Sequence, residues 1–170
     1  AIAALVAAAA ALGGYVNARF PRVKTLNYDF SAQGAATAPC RAARTYTFVA
    51  LSDLHLDGNS PLSWIDGIVD QVNALQPDAI FLLGDLFDSR DEDAARTRSS
   101  LTRMKARLGI FAILGNHEYY RGHDWAVKEL TREGFKVLED DSVILDAAFL
   151  LAGRRDAASV QRRHGPLDPT

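Results

Sequence analysis

Chemically reactive side chains are concentrated in three short stretches of the sequence, each directly after an apolar run: residues 53–55, 84–88 and 115–118. Together they supply carboxylates, imidazoles and a carboxamide oxygen. This hard-to-borderline ligand set suits manganese, iron or zinc. The stretches recur roughly thirty residues apart, which is the length of one strand-helix-strand unit. We therefore predict that they meet at one metal-binding site.

The elements between these stretches predict a parallel α/β fold. Three apolar, β-prone runs are typical of strands covered on both faces: residues 46–51, 79–83 and 110–114. Two helical patterns separate them, over residues 61–76 and 91–108, and end at Pro77 and Gly109. Alternating strands and helices favour a parallel sheet. Ligands bind beyond the carboxyl ends of such strands, so all three reactive stretches are expected at one edge.

The sequence after the third stretch predicts one short helix and three short strands. Asp124 is a candidate N-cap for a helix that ends near Gly134. The strands are predicted over residues 136–138, 143–145 and 149–152.

The ligand set suggests hydrolysis of a phosphoester. A carboxylate between two cations can bridge them, and a pair about 3.5 to 4 Å apart clamps the attacking and leaving oxygens and turns bound water into hydroxide. Asn116 can serve as a neutral ligand through its carbonyl oxygen, while His117 beside it can stay off the metal and meet substrate. Glu118 is predicted to orient the His117 ring as a supporting carboxylate.

Each stretch taken alone also has an ordinary structural explanation. Residues 53–55 can form an exposed turn, Asp85 can belong to a Gly-Asp turn, and Asp88 can cap a helix or loop. Gly115 and Asn116 can also form a turn. Three such coincidences at the ends of three successive strands favour the metal site.

The three stretches resemble the first three sequence blocks of the calcineurin-like metallophosphoesterases: Asp53-x-His55, Gly84-Asp85-x-x-Asp88 and Gly115-Asn116-His117-Glu118. The resemblance implies the front part of a four-layer αββα sandwich and two divalent metal ions, Mn, Fe or Zn. Asp88 is expected to lie behind the metal ligands and support them. His117 and Glu118 are the candidate catalytic residues.

The resemblance also implies a role for each ligand. Asp53, His55 and Asp85 would bind the first metal, Asp85 would bridge the pair, and Asn116 would bind the second. His117 corresponds to a substrate-facing histidine that assists the leaving group or stabilises phosphate charge.

The family pattern continues with three metal-binding histidines in two later blocks, which this sequence does not contain. The resemblance runs from about Tyr15 to the end and covers roughly the front half of such a domain. We therefore expect the chain to be part of a longer protein. The alternative to an enzyme is a phosphoesterase-like scaffold or inactive fragment that binds partners without turnover.

Residues 1–16 are Ala-rich and almost wholly apolar, and basic residues follow at Arg19, Arg22 and Lys24. Three interpretations fit this segment: the tail of a transmembrane helix, the apolar part of an export signal, or a buried helix. The first two are favoured. A membrane span would place the following domain on the cytoplasmic side, and export is the alternative. The expected organisation is an apolar helix over 1–18, a connector over 19–44 and a metallophosphoesterase domain over 45–170.

The composition of the chain limits the classes of partner that we expect. A net charge of -2 and a pI near 6.1 give no basic field, so nucleic acid is not an expected partner. Cys40 is the single cysteine, which excludes an internal disulfide and a cysteine zinc cluster. Residues 15–23 and 150–156 are similar to the membrane-associated or exported bacterial phosphodiesterases. This similarity implies a phosphodiester substrate, with a lipid-derived phosphoester as one candidate.

Overall fold

The computed structural model describes residues 2–19, 21–29, 44–90 and 92–156. The chain forms two compact units, Ala1–Thr45 and Tyr46–Thr170. The first unit contains helix α1, Ile2–Arg19, while residues 21–29 form neither helix nor strand. Most of the predicted connector, including Cys40, lies outside the described residues. None of the helices within the described ranges combines the length and apolar character that crossing a membrane requires.

A parallel sheet of four strands organises the second unit, as predicted. Its strands lie side by side in chain order: β1 (Phe48–Leu51), β2 (Ala79–Leu82), β3 (Ile110–Ala112) and β4 (Lys136–Val137). Helices connect successive strands: α2 (Leu62–Ala74), α3 (Glu92–Leu101), α4 (Asn116–Arg121) and α5 (His123–Arg132). All carboxyl ends of these strands therefore lie at the same edge.

A separate antiparallel pair follows the parallel sheet. Strand β5, Asp141–Leu145, pairs with β6, Phe149–Gly153, and Leu145 lies opposite Phe149 next to the turn. These strands correspond to the predicted runs 143–145 and 149–152. The structure is thus a mixed α/β fold with an apolar N-terminal helix.

Apolar packing covers both faces of the central strands β2 and β3, whose successive residues point to opposite sides. In β1, Val49 and Leu51 pack against the core but Phe48 and Ala50 are exposed, so the prediction that residues 46–51 are covered on both faces is wrong for this strand at the end of the strand order. On one face, Ile80 and Leu82 of β2 belong to the same buried cluster as the inward residues of α2, Ile65, Ile68, Val69 and Val72. On the other face, Ala79 packs in a second cluster with Phe111 and Leu145. The sheet is therefore a rigid base for the loops at its carboxyl edge.

Helix α3 ends at Leu101 and does not continue to Leu108 as predicted. The side chain of Asn73 replaces the helical hydrogen bonds of the next residues. Its Nδ2 donates to the Arg103 carbonyl oxygen at 2.9 Å, and its Oδ1 accepts from the Lys105 backbone N–H at 2.8 Å. A side chain distant in sequence thus fixes a non-helical turn that local periodicity could not reveal.

The region after the third strand contains an additional helix, α4, which the sequence did not predict. Gly122 ends α4 and also precedes α5 as its N-cap residue, with a φ of 125° that favours glycine. Asp124, the predicted cap, lies inside the first turn of α5, where no side-chain cap hydrogen bond forms. Its carboxylate instead contacts the ring of His123.

Candidate metal centre

Backbone hydrogen bonds join the first two reactive stretches beyond the ends of β1 and β2. Asp53 N–H donates to the Gly84 carbonyl oxygen at 3.1 Å, and His55 N–H donates to the Asp85 carbonyl oxygen at 3.0 Å. A parallel bridge between Leu56 and Phe87 continues the pairing. The two loops therefore have a fixed register, and Asp53 and His55 lie next to Asp85.

Three of the candidate ligands have a left-handed backbone, which non-glycine residues rarely adopt. The φ angles are 56° at Asp53, 46° at His55 and 52° at Asp85. Such conformations cost about 1–3 kcal/mol each and persist where the surrounding structure imposes them. Their concentration at this edge supports a functional site.

The structure brings together the three side chains assigned to the first metal. Single ligand atoms of Asp53, His55 and Asp85 all lie within 4.8 Å of one another. His55 Nε2 is 3.9 Å from Asp53 Oδ1, and the Asp53 side chain is 66% exposed. The group therefore combines imidazole and carboxylate donors at a solvent-accessible place, which suits a divalent cation.

Asp88 contacts the imidazole rings of both His55 and His117 at their Nδ1 atoms. Its Oδ1 lies 3.0 Å from His55 Nδ1 and 2.6 Å from His117 Nδ1, and the two rings meet edge to face with centroids 4.5 Å apart. A carboxylate at Nδ1 leaves Nε2 of each ring for a metal or substrate. His55, Asp88 and His117 also form a second group whose ligand atoms lie within 4.8 Å.

The ionisation of these groups follows from the shared contacts. The hydrogen bond with Asp88 raises the pKa of His55, against a smaller lowering by burial. Burial alone would raise the pKa of Asp88, but hydrogen bonds and charges of the two imidazoles together lower it. Asp88 is therefore an anion that favours positive charge on the His55 ring.

Asn116 opens α4 beside Asp85. The backbone N–H of His117 donates to Asp85 Oδ1 at 3.0 Å, which ties the first turn of α4 to the second reactive stretch. The Asn116 side chain is half-buried. The third stretch thus lies at the same edge as the other two.

Glu118 does not contact the His117 ring, in contrast to the orienting role expected for it. Its buried carboxylate accepts four backbone N–H groups instead. Oε1 accepts from Leu86 at 2.7 Å and Phe87 at 3.0 Å, and Oε2 accepts from Asp85 and Gly115 at 2.9 Å each. Asp88 makes the ring contact that was predicted for Glu118.

Two glycines allow the second and third stretches to approach each other. A Cβ on Gly84, where φ is 93°, would lie 2.5 Å from the backbone nitrogen of Gly115. A Cβ on Gly115 would overlap the Asp85 carboxylate. The sequence pattern suggested only turns at these glycines, although a glycine as the first residue of a reactive stretch can also indicate a close backbone approach.

His123 belongs to a different cluster. Its Nε2 lies 2.6 Å from Glu139 Oε1, its Nδ1 lies 2.7 Å from Asp124 Oδ1, and its ring stacks on Tyr119. Burial lowers the pKa of His123, but the hydrogen bonds and charges of the two carboxylates outweigh this and raise it. These contacts give His123 a structural role that joins α4 and α5 to the segment after β4.

The Asp88→Asn variant is expected to bind metal about tenfold to a hundredfold more weakly, because a neutral amide holds the His55 ring less firmly and makes it a poorer donor. Competition between the full-length protein and a chelator for Mn²⁺ measures this affinity. Asp124→Asn is the matched control, since the Asp124 side chain is fully exposed and contacts His123. Equal affinities of Asp88→Asn and the control would contradict the supporting role.

Comparison with known proteins agrees with this geometry. The sequence profile of the calcineurin-like phosphoesterases matches residues 46–167. The chain therefore belongs to the calcineurin-like phosphoesterase family, whose metal-binding character fits the His and Asp groups described above. No solved structure gives a significant match.

Several curated relatives are similar over the same region. The chain is 34% identical over 116 residues to an uncharacterised metallophosphoesterase of Campylobacter jejuni, which covers 67% of the chain and 30% of that protein. It is 33% identical over 119 residues to a transmembrane protein with metallophosphoesterase domain of Danio rerio, and this match covers 70% of the chain and 26% of that protein. It is 36% identical over 72 residues to a UDP-2,3-diacylglucosamine pyrophosphatase of Chlamydia muridarum, and this match covers 42% of the chain and 22% of that protein. The chain thus spans less than a third of the length of each of these three relatives.

Proposed function

We propose that the full-length protein is a phosphoester hydrolase that uses two divalent metal ions, Mn, Fe or Zn, and acts on a phosphodiester. The observation that carries this proposal is the grouping of Asp53, His55 and Asp85 within 4.8 Å at the carboxyl edge of the sheet. Membership of the calcineurin-like phosphoesterases supports the same reaction class.

Four side chains would hold the metals. Asp53, His55 and Asp85 would bind the first, and Asp85 and Asn116 would bind the second. When bound, two such cations supply Lewis acidity and an activated water for attack on phosphorus. Asp85 is the natural bridge, because its loop contacts both other stretches.

His117 would act on the substrate. Asp88 at its Nδ1 fixes the ring orientation, which leaves Nε2 to hold a proton for the departing oxygen. A half-buried carboxylate, Asp88, thus positions this histidine, as carboxylates do for histidine acids and bases. Glu118 would contribute by positioning α4, on which His117 lies.

The relatives suggest where the substrate originates. The Chlamydia muridarum relative is a pyrophosphatase named for a diacylated sugar nucleotide, and the Danio rerio relative is a transmembrane protein. We therefore propose a lipid-derived phosphoester as the substrate and a membrane-associated location for the full-length protein.

The His117→Gln variant tests the proposed reaction. It should bind Mn²⁺ as the wild type does but lower kcat by about a hundredfold to ten-thousandfold, the usual contribution of a positioned acid or base. Hydrolysis of bis(p-nitrophenyl) phosphate by the full-length protein, with Mn²⁺ content measured on the same samples, gives both quantities.

His123→Gln is the matched control, because His123 contacts Asp124 and Glu139 and has no place in the proposed reaction. Its kcat should stay near that of the wild type. Normal kcat in His117→Gln would refute the assigned role. Metal binding without hydrolysis of any phosphoester by the wild type would favour a non-catalytic scaffold.

A further inference from the structure

A cavity of about 720 Å³ opens beside the candidate metal centre and includes Asp88 in its wall. Its volume lies within the range of small-molecule sites. The other lining residues that bear on its chemistry are Asp57, Asn59, Arg90, Tyr120 and Arg121. Asp88 therefore lies at the boundary of the two places, since it lines the cavity and also contacts the His55 and His117 rings of the metal centre.

Helix α4 connects the two places. His117 and Arg121 are four residues apart and therefore lie on the same face of the helix, about 6 Å apart along its axis. Tyr120 also lines the cavity, and its ring centroid is 6.3 Å from that of His117. A ligand that places one phosphate at His117 can therefore reach Arg121 with its next charged group.

The carboxylates of the cavity already have partners. Asp57 accepts hydrogen bonds from Asn59 N–H at 3.0 Å and Ser60 Oγ at 2.8 Å, and Asp88 is engaged by two imidazoles. Within residues 44–90 and 92–156, neither Arg90 nor Arg121 makes a hydrogen bond or ion pair through its guanidinium. The cavity therefore presents two positive groups that are available to an anion.

Arg90 is held in place without a carboxylate. Its guanidinium carbon lies 5.5 Å from the centroid of the Trp125 ring, in a cation–π contact. On its other side is Gly122, where a Cβ would overlap the guanidinium. A guanidinium confined in this way loses little conformational freedom when it binds an anion.

We propose that this cavity binds a second phosphate of the substrate, next to the one at the metals, through Arg90 and Arg121. The proposal rests on the proposed phosphoester hydrolysis and narrows the substrate class to molecules with two adjacent phosphates, such as pyrophosphate-linked esters. The planar guanidinium groups suit this task because each can donate two parallel hydrogen bonds to one phosphate.

Calorimetric titration of the Mn²⁺-loaded full-length protein with ADP and with AMP tests the proposal. ADP carries the second phosphate and should bind at least about tenfold more tightly, as expected for charge-assisted hydrogen bonds. The double variant Arg90→Gln/Arg121→Gln should lose this preference, while its affinity for AMP should change less than about twofold. Arg121→Lys should retain part of the preference, because the charge remains but the paired hydrogen bonds do not.

Arg96→Gln is the matched control, since Arg96 is an exposed arginine on α3 that does not line the cavity. It should keep the full preference for ADP. The proposal would be overturned if the wild type bound ADP and AMP with equal affinity. It would also be overturned if the double variant lost affinity equally for both ligands, or if the control lost the ADP preference as the double variant does. Binding does not require turnover, so an intact ADP preference without hydrolysis of either bis(p-nitrophenyl) phosphate or a pyrophosphate-linked ester would refute the proposed function alone.

Discussion

The Asp85→Asn variant of the full-length protein is expected to lose phosphoesterase turnover by about a thousandfold or more. Asp85 is the residue that would contact both metals, so the loss of its charge weakens two ions together. Metal ions contribute several kcal/mol of charge stabilisation to the transition state, and each 1.36 kcal/mol corresponds to about a tenfold change in rate. No other single ligand of the site would have an equal effect.

Asparagine is the informative replacement because it removes the negative charge of Asp85 and keeps the shape of the side chain. The φ of Asp85 is 52°, a conformation that asparagine tolerates better than alanine does. The amide oxygen can still accept the backbone N–H of His117. Far-ultraviolet circular dichroism should therefore match the wild type, while turnover and bound Mn²⁺ fall.

Asp124→Asn again provides the control, since the same change at an exposed position should leave turnover and metal content unaffected. Wild-type turnover with two bound metals in Asp85→Asn would refute the bridging assignment. Loss of turnover in both variants would show that the assay reports a general effect of the substitution.

The Glu118→Gln variant is expected to lower the free energy of unfolding by about 3–5 kcal/mol. The carboxylate accepts two backbone N–H groups at each oxygen and is fully buried. Glutamine keeps only one oxygen, so its amide nitrogen faces two donors that lose their acceptor. Hydrogen bonds to a charged group contribute about 1.5–3 kcal/mol, and buried donors without a partner are costly.

Urea denaturation of the full-length protein, followed by circular dichroism, measures this change. Glu133→Gln is the matched control, because the Glu133 carboxylate pairs with the exposed side chain of Arg132 and not with buried backbone donors. A loss in Glu118→Gln no greater than that in the control would contradict the role of Glu118 as an acceptor that joins the loops.

Much of the fold follows from short-range sequence patterns. The apolar runs form β1, β2 and β3 as predicted, and both faces of β2 and β3 are covered, whereas one face of β1 is exposed. Helix α2 ends at Ala74, before Pro77. The convergence of the reactive stretches follows from strand direction alone, since parallel neighbours have their carboxyl ends at one edge. The errors in the predicted helix boundaries, such as the end of α3, did not affect the predicted strands or the convergence of the reactive stretches.

The roles of Glu118 and Asp88 could not be predicted in the same way. Neighbouring residues on a helix do not face each other, so the presence of α4 turns the Glu118 carboxylate away from the His117 ring. Asp88 reaches that ring from another loop, across 29 positions of the sequence. Both facts depend on long-range packing, as does the cavity that Arg90 and Arg121 line.

The central claim is that this edge of the sheet forms a two-metal phosphoester centre in the full-length protein. Its most direct test is to remove metal with a chelator, add back Mn²⁺, and follow bound ions and bis(p-nitrophenyl) phosphate hydrolysis together. Turnover should be absent without metal and should rise until about two ions are bound per chain. Hydrolysis that persists without metal, or two bound ions without any hydrolysis, would contradict the claim.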